Sequence, residues 1–292
     1  MKMKMKMKKI ISLVTAVIIL STALFAKTEN ITKQAVFKAL TKLYGPNFEN
    51  FIQPVKLKRV FSPVKNVEVY SLICKNRTDK NKKITIPVII FQKRYITPFV
   101  IDIIKNKNVS AVWNFKAQSP EENLKYPEDT LIYRGDKDCK NKMAIFSDPE
   151  CPFCRRFVPE FIKMAKAKNF CIYLYEFPLS FHKHAMKYSK WLTALLEKAP
   201  ISRKADIVTE FYRVTDDPDK AEKKALEIAK SLGLTEAQFY KIAADKSDSI
   251  IQEHKQIADK VNVRGTPTVF INGKKVNNGM IGDIINSITS GK

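Results

Sequence analysis

The apolar positions in the first third of the chain follow a helical spacing and then a strand-like one. Residues 31–44 carry apolar side chains three or four positions apart, which predicts a helix with Asn30 as its N-cap and Gly45 as its stop. Beyond Gly45, alternating or β-branched stretches predict three strands, at residues 55–60, 67–72 and 84–91. These elements predict a small α+β domain that spans residues 27–105.

The periodicity is lost between residues 106 and 138, where Ser119-Pro120, Tyr126-Pro127 and several charges interrupt it. We interpret residues 106–138 as a linker that is partly helical, followed by a second domain over residues 139–292.

The second domain begins with a short, fully apolar strand at residues 143–146 that runs into Cys151 and a helix. A second strand follows at residues 170–175, and then a helical stretch with breaks at Pro200, Asp216-Asp217-Pro218, Gly233 and Ser247-Asp248. The chain closes with a hairpin and a helix, at residues 268–271, 274–276 and 281–288. This order is typical of an α/β thioredoxin-like fold with a helical insertion at about residues 180–262.

The first 26 residues have the layout of a secretory signal peptide. Five lysines precede an apolar run at residues 10–20, and small residues follow it, with cleavage expected after Ala23 or Ala26. The alternative is an uncleaved membrane anchor, because residues 10–25 approach the shortest length that spans a bilayer. Export would place the protein in the periplasm, where disulfides persist.

The net charge favours neither a nucleic-acid nor a membrane partner. A length of 292 residues suits two domains, and the formal charge of +23 falls to +18 once the five leader lysines are set aside. The lysines alternate with glutamates along the predicted helices and form no stripe with interleaved aromatic residues. We therefore interpret the charge as solvated surface and expect no nucleic-acid partner.

The strongest chemical signal is Cys151-Pro152-Phe153-Cys154 at the start of a predicted helix. Two cysteines at this spacing close a small, reversible disulfide ring. Cys151 would lie at the helix N-terminus, where free N–H groups and the helix dipole stabilise a thiolate. Cys154, one turn later on the apolar face, would be shielded and would attack the mixed disulfide that Cys151 forms with a substrate.

Three other uses of this motif are less consistent with the sequence. A zinc site needs two further ligands, and His182 with His184 is the only nearby candidate pair, so no metal is expected. Covalent haem attachment requires a histidine after the second cysteine, where Arg155 stands. A purely structural disulfide over so short a loop would constrain the unfolded chain little. No cofactor is implied.

The second signal is Gly265-Thr266-Pro267, directly before a predicted strand. Here the sequence resembles the thioredoxin superfamily, in which a cis-proline loop lies against the two cysteines. The resemblance implies that Thr266 and Pro267 bind the substrate chain, with Pro152 and Phe153 beside them. An ordinary proline turn before a hairpin is the alternative.

Within that superfamily the chain most resembles the exported DsbC/DsbG type, on the wording Ser147-Asp-Pro-Glu-Cys-Pro-Phe-Cys154 and on Ile145, where thioredoxin and DsbA-type proteins carry an acid. This resemblance implies a cystatin-like N-terminal dimerisation domain, a V-shaped homodimer and a cleft that binds misfolded proteins. It further implies a protein disulfide isomerase or reductase that acts on misoxidised substrates and is kept reduced by a DsbD-like membrane partner.

Two features depart from that type. The 112 residues between Cys154 and Pro267 are more than expected for DsbC, and residues 177–182 are similar to DsbA-type oxidases. The alternatives are therefore a disulfide-introducing oxidase with a DsbB-like quinone-linked partner, or a redox-inactive chaperone. Since Pro152-Phe153 lacks the histidine of DsbA-like sites, we expect a less oxidising couple than that of DsbA.

Three cysteines lie outside the motif. Cys139 and Cys171 precede or begin neighbouring strands at the sheet end away from the active site, so they either form a structural disulfide or remain free. Cys74 is then unpaired, either buried as a small hydrophobe or paired across a dimer. We interpret His182, His184 and His254 as surface or cap residues without a chemical role.

Overall fold

The structure is a computed structural model that describes residues 31–45, 48–77, 83–92, 95–97, 101–102 and 107–290, with residues 101–102 and 107–108 described as backbone only. The predicted signal peptide, residues 1–26, lies outside the described residues. The chain divides into two compact units, one that ends at Gln118 and one that begins at Ser119.

The first unit packs its described helices against a four-stranded antiparallel sheet. Its elements in chain order are α1 (Lys33–Tyr44), α2 (Phe48–Phe51), β1 (Ile52–Val64), β2 (Val67–Asn76), β3 (Lys83–Phe91), β4 (Tyr95–Thr97), β5 (Ile101–Asp102), β6 (Lys107–Asn108) and α3 (Ser110–Ala117). The sheet order is β1-β2-β3-β4, and β5 pairs with β6. Residues of α1 pack with one set of alternating positions of the sheet, and residues of α3 pack with the other set.

The predicted helix of the first unit forms, with a different N-cap. The side chain of Thr32, rather than that of Asn30, accepts a hydrogen bond from the backbone N–H of Ala35 at 3.2 Å. Gly45 ends α1 with a φ of +94°, in the region that favours glycine. All three predicted strands are present and are longer than the sequence indicated.

The edge strand β1 carries features that oppose pairing with a further strand. It contains Pro54 and Pro63, and its pairing with β2 shifts register at three places. Proline removes a backbone donor, and bulges twist an edge away from a neighbour. The first unit is thus an α+β structure with an interrupted edge. Its predicted cystatin-like and dimerising character remains a prediction.

The described part of the segment expected to form a linker, residues 107–138, contains two strands, one helix and a 3₁₀ turn, with irregular stretches between them. Helix α3 belongs to the first unit, and the segment after Ser119 belongs to the second. A 3₁₀ turn at Glu128–Thr130 leads into β7 (Leu131–Tyr133). This strand was not predicted, and it pairs antiparallel with a later strand of the second unit, at residues 171–176.

The second unit is built on a five-stranded mixed sheet. Its remaining strands are β8 (Lys142–Ser147), β9 (Cys171–Glu176), β10 (Thr268–Ile271) and β11 (Lys274–Val276), and the order is β11-β10-β8-β9-β7. Strands β8 and β9 are parallel, and β10 is antiparallel to β8. Nearly every residue of β8 and β9 is buried, as continuous apolar strands predict.

The helices are α4 (Pro152–Lys166), α5 (Ala185–Lys198), α6 (Ile201–Tyr212), α7 (Pro218–Ser231), α8 (Glu236–Asp245), α9 (Ser247–Lys260) and α10 (Ile281–Thr289). The breaks fall where the sequence indicated. Asp217 caps α7 before Pro218, and Gly233 with a φ of +78° precedes the capping box of Thr235. The inserted helices are regular, and α5 is the most buried of them, with six consecutive buried residues at 191–196.

The C-terminal hairpin closes in a tight two-residue turn. Asn272 and Gly273 both have positive φ, as a two-residue turn between β10 and β11 requires. A Cβ on Gly273 would lie 2.9 Å from Cβ of Pro120, so the chain after Ser119 packs closely against this turn. Among the described residues, no helix is long and apolar enough to cross a membrane.

Candidate active site

The active-site turn follows directly from the end of β8. Residues Asp148, Pro149 and Glu150 connect Ser147 to α4, and the Cys151 N–H donates to the Asp148 carbonyl at 3.1 Å. Cys151 has an extended backbone conformation as the N-cap, and Pro152 occupies the first helical position. Proline suits that position because its N–H would have no helical partner. Cys151 therefore lies at the N-terminus of α4, as predicted.

The second loop brings Thr266 and Pro267 to the same place. The Thr266–Pro267 peptide is cis, and the Cys151 Sγ lies 3.6 Å from the Thr266 carbonyl oxygen. Cys154 is fully buried on the apolar side of α4, whereas Phe153 is exposed. The structure thus assembles all of the residues predicted for the site.

The two thiols differ sharply in acidity. Hydrogen bonding from the Cys154 thiol, followed by bonding from the backbone N–H groups of Cys154 and Phe153, lowers the pKa of Cys151 to about 5 against the opposing effect of burial. Burial, and next the interaction with Cys151, raise the pKa of Cys154. At neutral pH Cys151 is a thiolate nucleophile and Cys154 a protonated, shielded thiol.

A buried carboxylate ties the active-site turn to the loop after β9. Asp148 is fully buried and accepts from the Glu150 N–H at 2.8 Å and from the Leu179 N–H at 3.0 Å. Its Oδ2 also lies 2.7 Å from Nδ1 of His182. His182, interpreted from the sequence as a surface or cap residue, is half-buried, and its ring contact joins the loop to the turn.

A pair of hydroxyl groups lies beneath the turn. The hydroxyl of Tyr212, on α6, lies 2.8 Å from Oγ of Ser147, and both residues are fully buried. The Ser147 hydroxyl and the Asp148 backbone N–H act to lower the pKa of Cys154, against the larger effect of its burial. The pair therefore connects α6 to Cys154.

Glu176, at the end of β9, is the neighbour of Ser147 in the parallel strand pair. Within the described part of the chain neither of its carboxylate oxygens has a hydrogen-bond partner, and burial raises its pKa to about 8. Its backbone N–H donates to Nδ1 of His254 at 2.9 Å. His254 is buried, so its interpretation as a surface or cap residue was wrong.

The remaining three cysteines lie outside the active-site turn and the cis-proline loop. Cys139 and Cys171 form a disulfide with Cα atoms 5.4 Å apart, the first of the two outcomes left open by the sequence. It lies at the start of β9, the end of the sheet opposite to the site. Cys74 is a free, fully buried thiol in β2, where burial raises its pKa to about 11. Among the described residues no three His, Cys, Asp or Glu side chains are placed to hold a metal ion.

Comparison with known families agrees with this fold and site. A family model described as "Thioredoxin" matches residues 128–285, more than half of the chain. The chain belongs to the thioredoxin family. The match covers the sheet, the active-site turn, the inserted helices and the cis-proline loop, and it leaves the first unit outside. No functionally curated protein matches the sequence.

Solved structures of this family are similar at low sequence identity. Proteus mirabilis ScsC in a transitional conformation is 18% identical, with 60% of this chain and 82% of that chain covered and a TM-score of 0.45. A periplasmic thioredoxin-like protein from Salmonella enterica serovar Typhimurium is 17% identical, with 57% and 94% covered and a TM-score of 0.45. The thiol-disulfide exchange protein alpha-DsbA2 from Wolbachia pipientis is 17% identical, with 55% and 87% covered and a TM-score of 0.42.

Proposed function

We propose that this chain is an exported protein thiol–disulfide oxidoreductase that acts through Cys151 and Cys154. The observation that carries the proposal is the position of Cys151. Its thiol lies at the N-terminus of α4, has a pKa of about 5 and lies 3.6 Å from the Thr266 carbonyl in the cis-proline loop. A thiolate at neutral pH, beside a buried second thiol, is what disulfide exchange requires.

The order of the exchange steps follows from the difference in acidity between the Cys151 and Cys154 thiols. The Cys151 thiolate attacks one sulfur of a substrate disulfide, the substrate S–S bond breaks, and the departing sulfur takes a proton from solvent. In reduction, Cys154 loses its proton and attacks Sγ of Cys151, which closes the Cys151–Cys154 disulfide and releases the second substrate thiol. In isomerisation, another substrate thiol attacks the mixed disulfide and returns Cys151 as the thiolate.

The loops would hold the substrate chain. Pro267 has no N–H, so the backbone groups of Thr266 are left to pair with an extended polypeptide, in the manner of an added strand. Pro152 and Phe153 would contact the side chains next to the substrate cysteine. Phe153 supports this role because it is one of the most exposed aromatic residues of the second unit.

We propose that the enzyme isomerises or reduces the disulfides of misoxidised proteins. We further propose that the first unit is a dimerisation domain and that a chaperone-like cleft lies between the protomers. A DsbD-like membrane reductase would keep the pair reduced. The separate compact first unit supports this assignment. Export to the periplasm would depend on residues 1–26.

A second candidate is a disulfide-introducing oxidase with a DsbB-like partner, and the acidity of Cys151 favours it. A pKa of about 5 stabilises the reduced pair and makes the disulfide form a stronger oxidant. An isomerase and an oxidase are therefore expected to give opposite results with a client protein whose disulfides are scrambled.

The deciding experiment uses the mature protein and a client with scrambled disulfides, with a trace of reductant and no added oxidant. Recovery of client activity that is lost in Cys151→Ser would establish isomerisation. Rapid oxidation of a reduced client by the pre-oxidised protein, without recovery of the scrambled one, would establish the oxidase. Recovery of the scrambled client that is unchanged in Cys151→Ser, with no oxidation of the reduced client by either protein, would disprove the redox function and favour a chaperone.

A further inference from the structure

The positive charge of the chain is concentrated in its first unit. Residues 27–118 contain 18 lysines and arginines and 5 aspartates and glutamates, so their formal net charge is +13. Residues 119–292 contain 29 basic and 24 acidic residues, a net charge of only +5. The total of +18 gives no direction by itself, but a charge that belongs mostly to one unit indicates an anionic partner for that unit.

The register of the first sheet places four lysines on one of its faces. Helix α1 packs against the opposite face, and α3 covers this face only in part, at Val67, Val69 and Ile89. The Ser71 hydroxyl donates to the carbonyl of Ala117, the last residue of α3, and the uncovered positions begin there. They form three rows across β1, β2 and β3, which are Gln53-Lys75-Lys83, Lys56-Ile73-Thr85 and Lys58-Ser71-Pro87. The basic face is defined by the four lysines of these rows, all of them exposed: Lys56, Lys58, Lys75 and Lys83.

The lysines of the basic face lie close together and have no acidic neighbour on it. Lys75 is directly opposite Lys83, a position at which Cβ atoms are about 5 Å apart. Lys56 and Lys58 lie about 7 Å apart along β1. None of the nine residues in the three rows is acidic, and Glu68 of β2 lies on the opposite face.

This arrangement is unfavourable for the sheet itself. Like charges that lie directly opposite each other on neighbouring strands destabilise the pairing, and Lys75 and Lys83 are placed in this way. Within the part of the chain that the structure describes, none of the four lysines has an ion-pair partner. A feature that breaks a rule of sheet stability is expected where it serves binding, so the basic face fits a partner that supplies the missing negative charge.

We propose that the basic face binds the anionic phospholipid headgroups of a bilayer surface. Clusters of about four or more basic residues bind such surfaces because each residue lies in the negative potential of the headgroups. With strands about 5 Å apart and alternate residues about 7 Å apart, the three rows cover about 10 Å by 14 Å. The open sheet face therefore presents four ammonium groups side by side to a planar array of headgroups.

Other occupants suit the basic face less well. Arginine, which binds carboxylates and phosphates in bidentate geometry, is absent from the three rows, whereas lysine acts as a point charge and suits a diffuse layer of headgroups. Aromatic side chains that stack on unpaired bases are also absent from these rows. A second copy of the chain that used the same face would bring lysines against lysines. An acidic polypeptide is the competing occupant that the experiment tests.

The test measures binding to lipid vesicles. The chain from Lys27 onwards is used, so that the apolar leader cannot itself insert into lipid. It is co-sedimented with vesicles of phosphatidylcholine alone and with vesicles that contain about 30% phosphatidylglycerol, at about 50 mM NaCl. We expect binding to the anionic vesicles only, and loss of that binding at about 500 mM NaCl, where surface charges are screened.

Paired substitutions locate the binding on the molecule. Lys75→Gln combined with Lys83→Gln should weaken it by roughly 20-fold, because each lysine near an anionic surface contributes roughly fivefold. Lys38→Gln combined with Lys42→Gln is the matched control, since both are exposed lysines of α1, which packs against the opposite face. The control lowers the net charge by the same amount and should weaken binding by less than about threefold. Lys75→Arg combined with Lys83→Arg keeps the charge and should keep the binding.

Stability measurements separate a binding role from a structural one. Lys75→Gln with Lys83→Gln removes two charges that repel each other, so the midpoint of thermal unfolding should not fall. Lys56→Gln with Lys58→Gln alters the same face from another strand and should weaken vesicle binding to a similar extent. Absence of binding to the anionic vesicles, or an equal loss in the α1 control, would overturn the proposal.

Two further measurements assign the partner and separate this inference from the redox function. Binding to soluble poly-L-glutamate without binding to vesicles would assign the basic face to an acidic polypeptide and overturn the lipid proposal. Cys151→Ser should bind vesicles as the unsubstituted protein does, because no thiol takes part in the contact. A failure of the proposed redox function would therefore leave the vesicle result unchanged.

Discussion

Nδ1 of His182 lies 2.7 Å from Oδ2 of Asp148, a fully buried carboxylate in the turn that precedes Cys151. The two residues are 34 positions apart in sequence, so the contact joins the active-site turn to the loop after β9. The same carboxylate also binds the backbone of both segments, and the imidazole supplies its only side-chain partner among the described residues.

Replacing His182 by alanine should destabilise the protein. The substitution removes a hydrogen bond to a buried carboxylate, so the free energy of unfolding should fall by about 1–3 kcal/mol in urea titrations. His184→Ala is the control, because His184 binds Glu150 through its backbone N–H and not through its ring. Equal losses in the two variants would contradict the role assigned to the His182 ring.

The acidity of Cys151 should be visible in its reactivity. The rate of alkylation by iodoacetamide should rise with pH about a midpoint near 5, with mass spectrometry to locate the label. Cys154→Ala should move the midpoint towards 9, because the Cys154 thiol is the largest cause of the lowered pKa. Cys74→Ala should leave the midpoint where it is, and an unchanged midpoint in Cys154→Ala would refute this account of the acidity.

Glu176 should make stability fall as pH rises. Its pKa of about 8 in the folded protein exceeds the usual 4.5, so the folded state binds more protons than the unfolded state between about pH 4.5 and 8. Stability should therefore decrease across that window, by at most about 1.4 kcal/mol per pH unit, and change little outside it.

Glu176→Gln should remove this slope, since the amide does not titrate. The comparison belongs in a Cys151→Ala, Cys154→Ala background, because the lowered pKa of Cys151 gives a slope of the opposite sign between about pH 5 and 9. Urea titrations at several pH values measure both proteins. A slope of the same size in the glutamine variant would rule out Glu176 as its source.

The hydroxyl of Tyr212 should contribute to stability where that of Tyr188 does not. Tyr212→Phe removes the 2.8 Å hydrogen bond to buried Ser147 and should cost about 1–2 kcal/mol. The Tyr188 hydroxyl is buried and has no partner in the described part of the chain, so Tyr188→Phe should be neutral or slightly stabilising. Thermal and urea unfolding compare the pair, and a larger loss in Tyr188→Phe would contradict this account.

Much of the second unit could be predicted because its signals are local. Apolar runs mark β8 and β9, and Pro218, Gly233 and the Asn272-Gly273 turn mark boundaries. Strand β7 was missed because it has three residues in a stretch without periodicity and is defined by pairing with β9, about 40 positions away.

The sequence predicted the site residues only where their residue types and their spacing are characteristic of a known chemistry. Cys151, Cys154 and Pro267 were found because their residue types and positions are distinctive. Asp148 and Tyr212 were not, because their roles come from partners 34 and 65 residues away. Cys139 and Cys171 could be matched to one end of the sheet, but whether they are bonded depended on the distance between them.

The parallel strands β8 and β9 separate the Cys139–Cys171 disulfide from the thiols of Cys151 and Cys154. The Cys139–Cys171 bond is at the amino end of these strands, next to Lys142, and the active-site turn leaves β8 at Ser147. A strand of six residues separates its ends by roughly 17 Å. Under the proposed function, the enzyme carries a structural disulfide besides its reactive pair, and the length of one buried strand separates that disulfide from the thiol of Cys151.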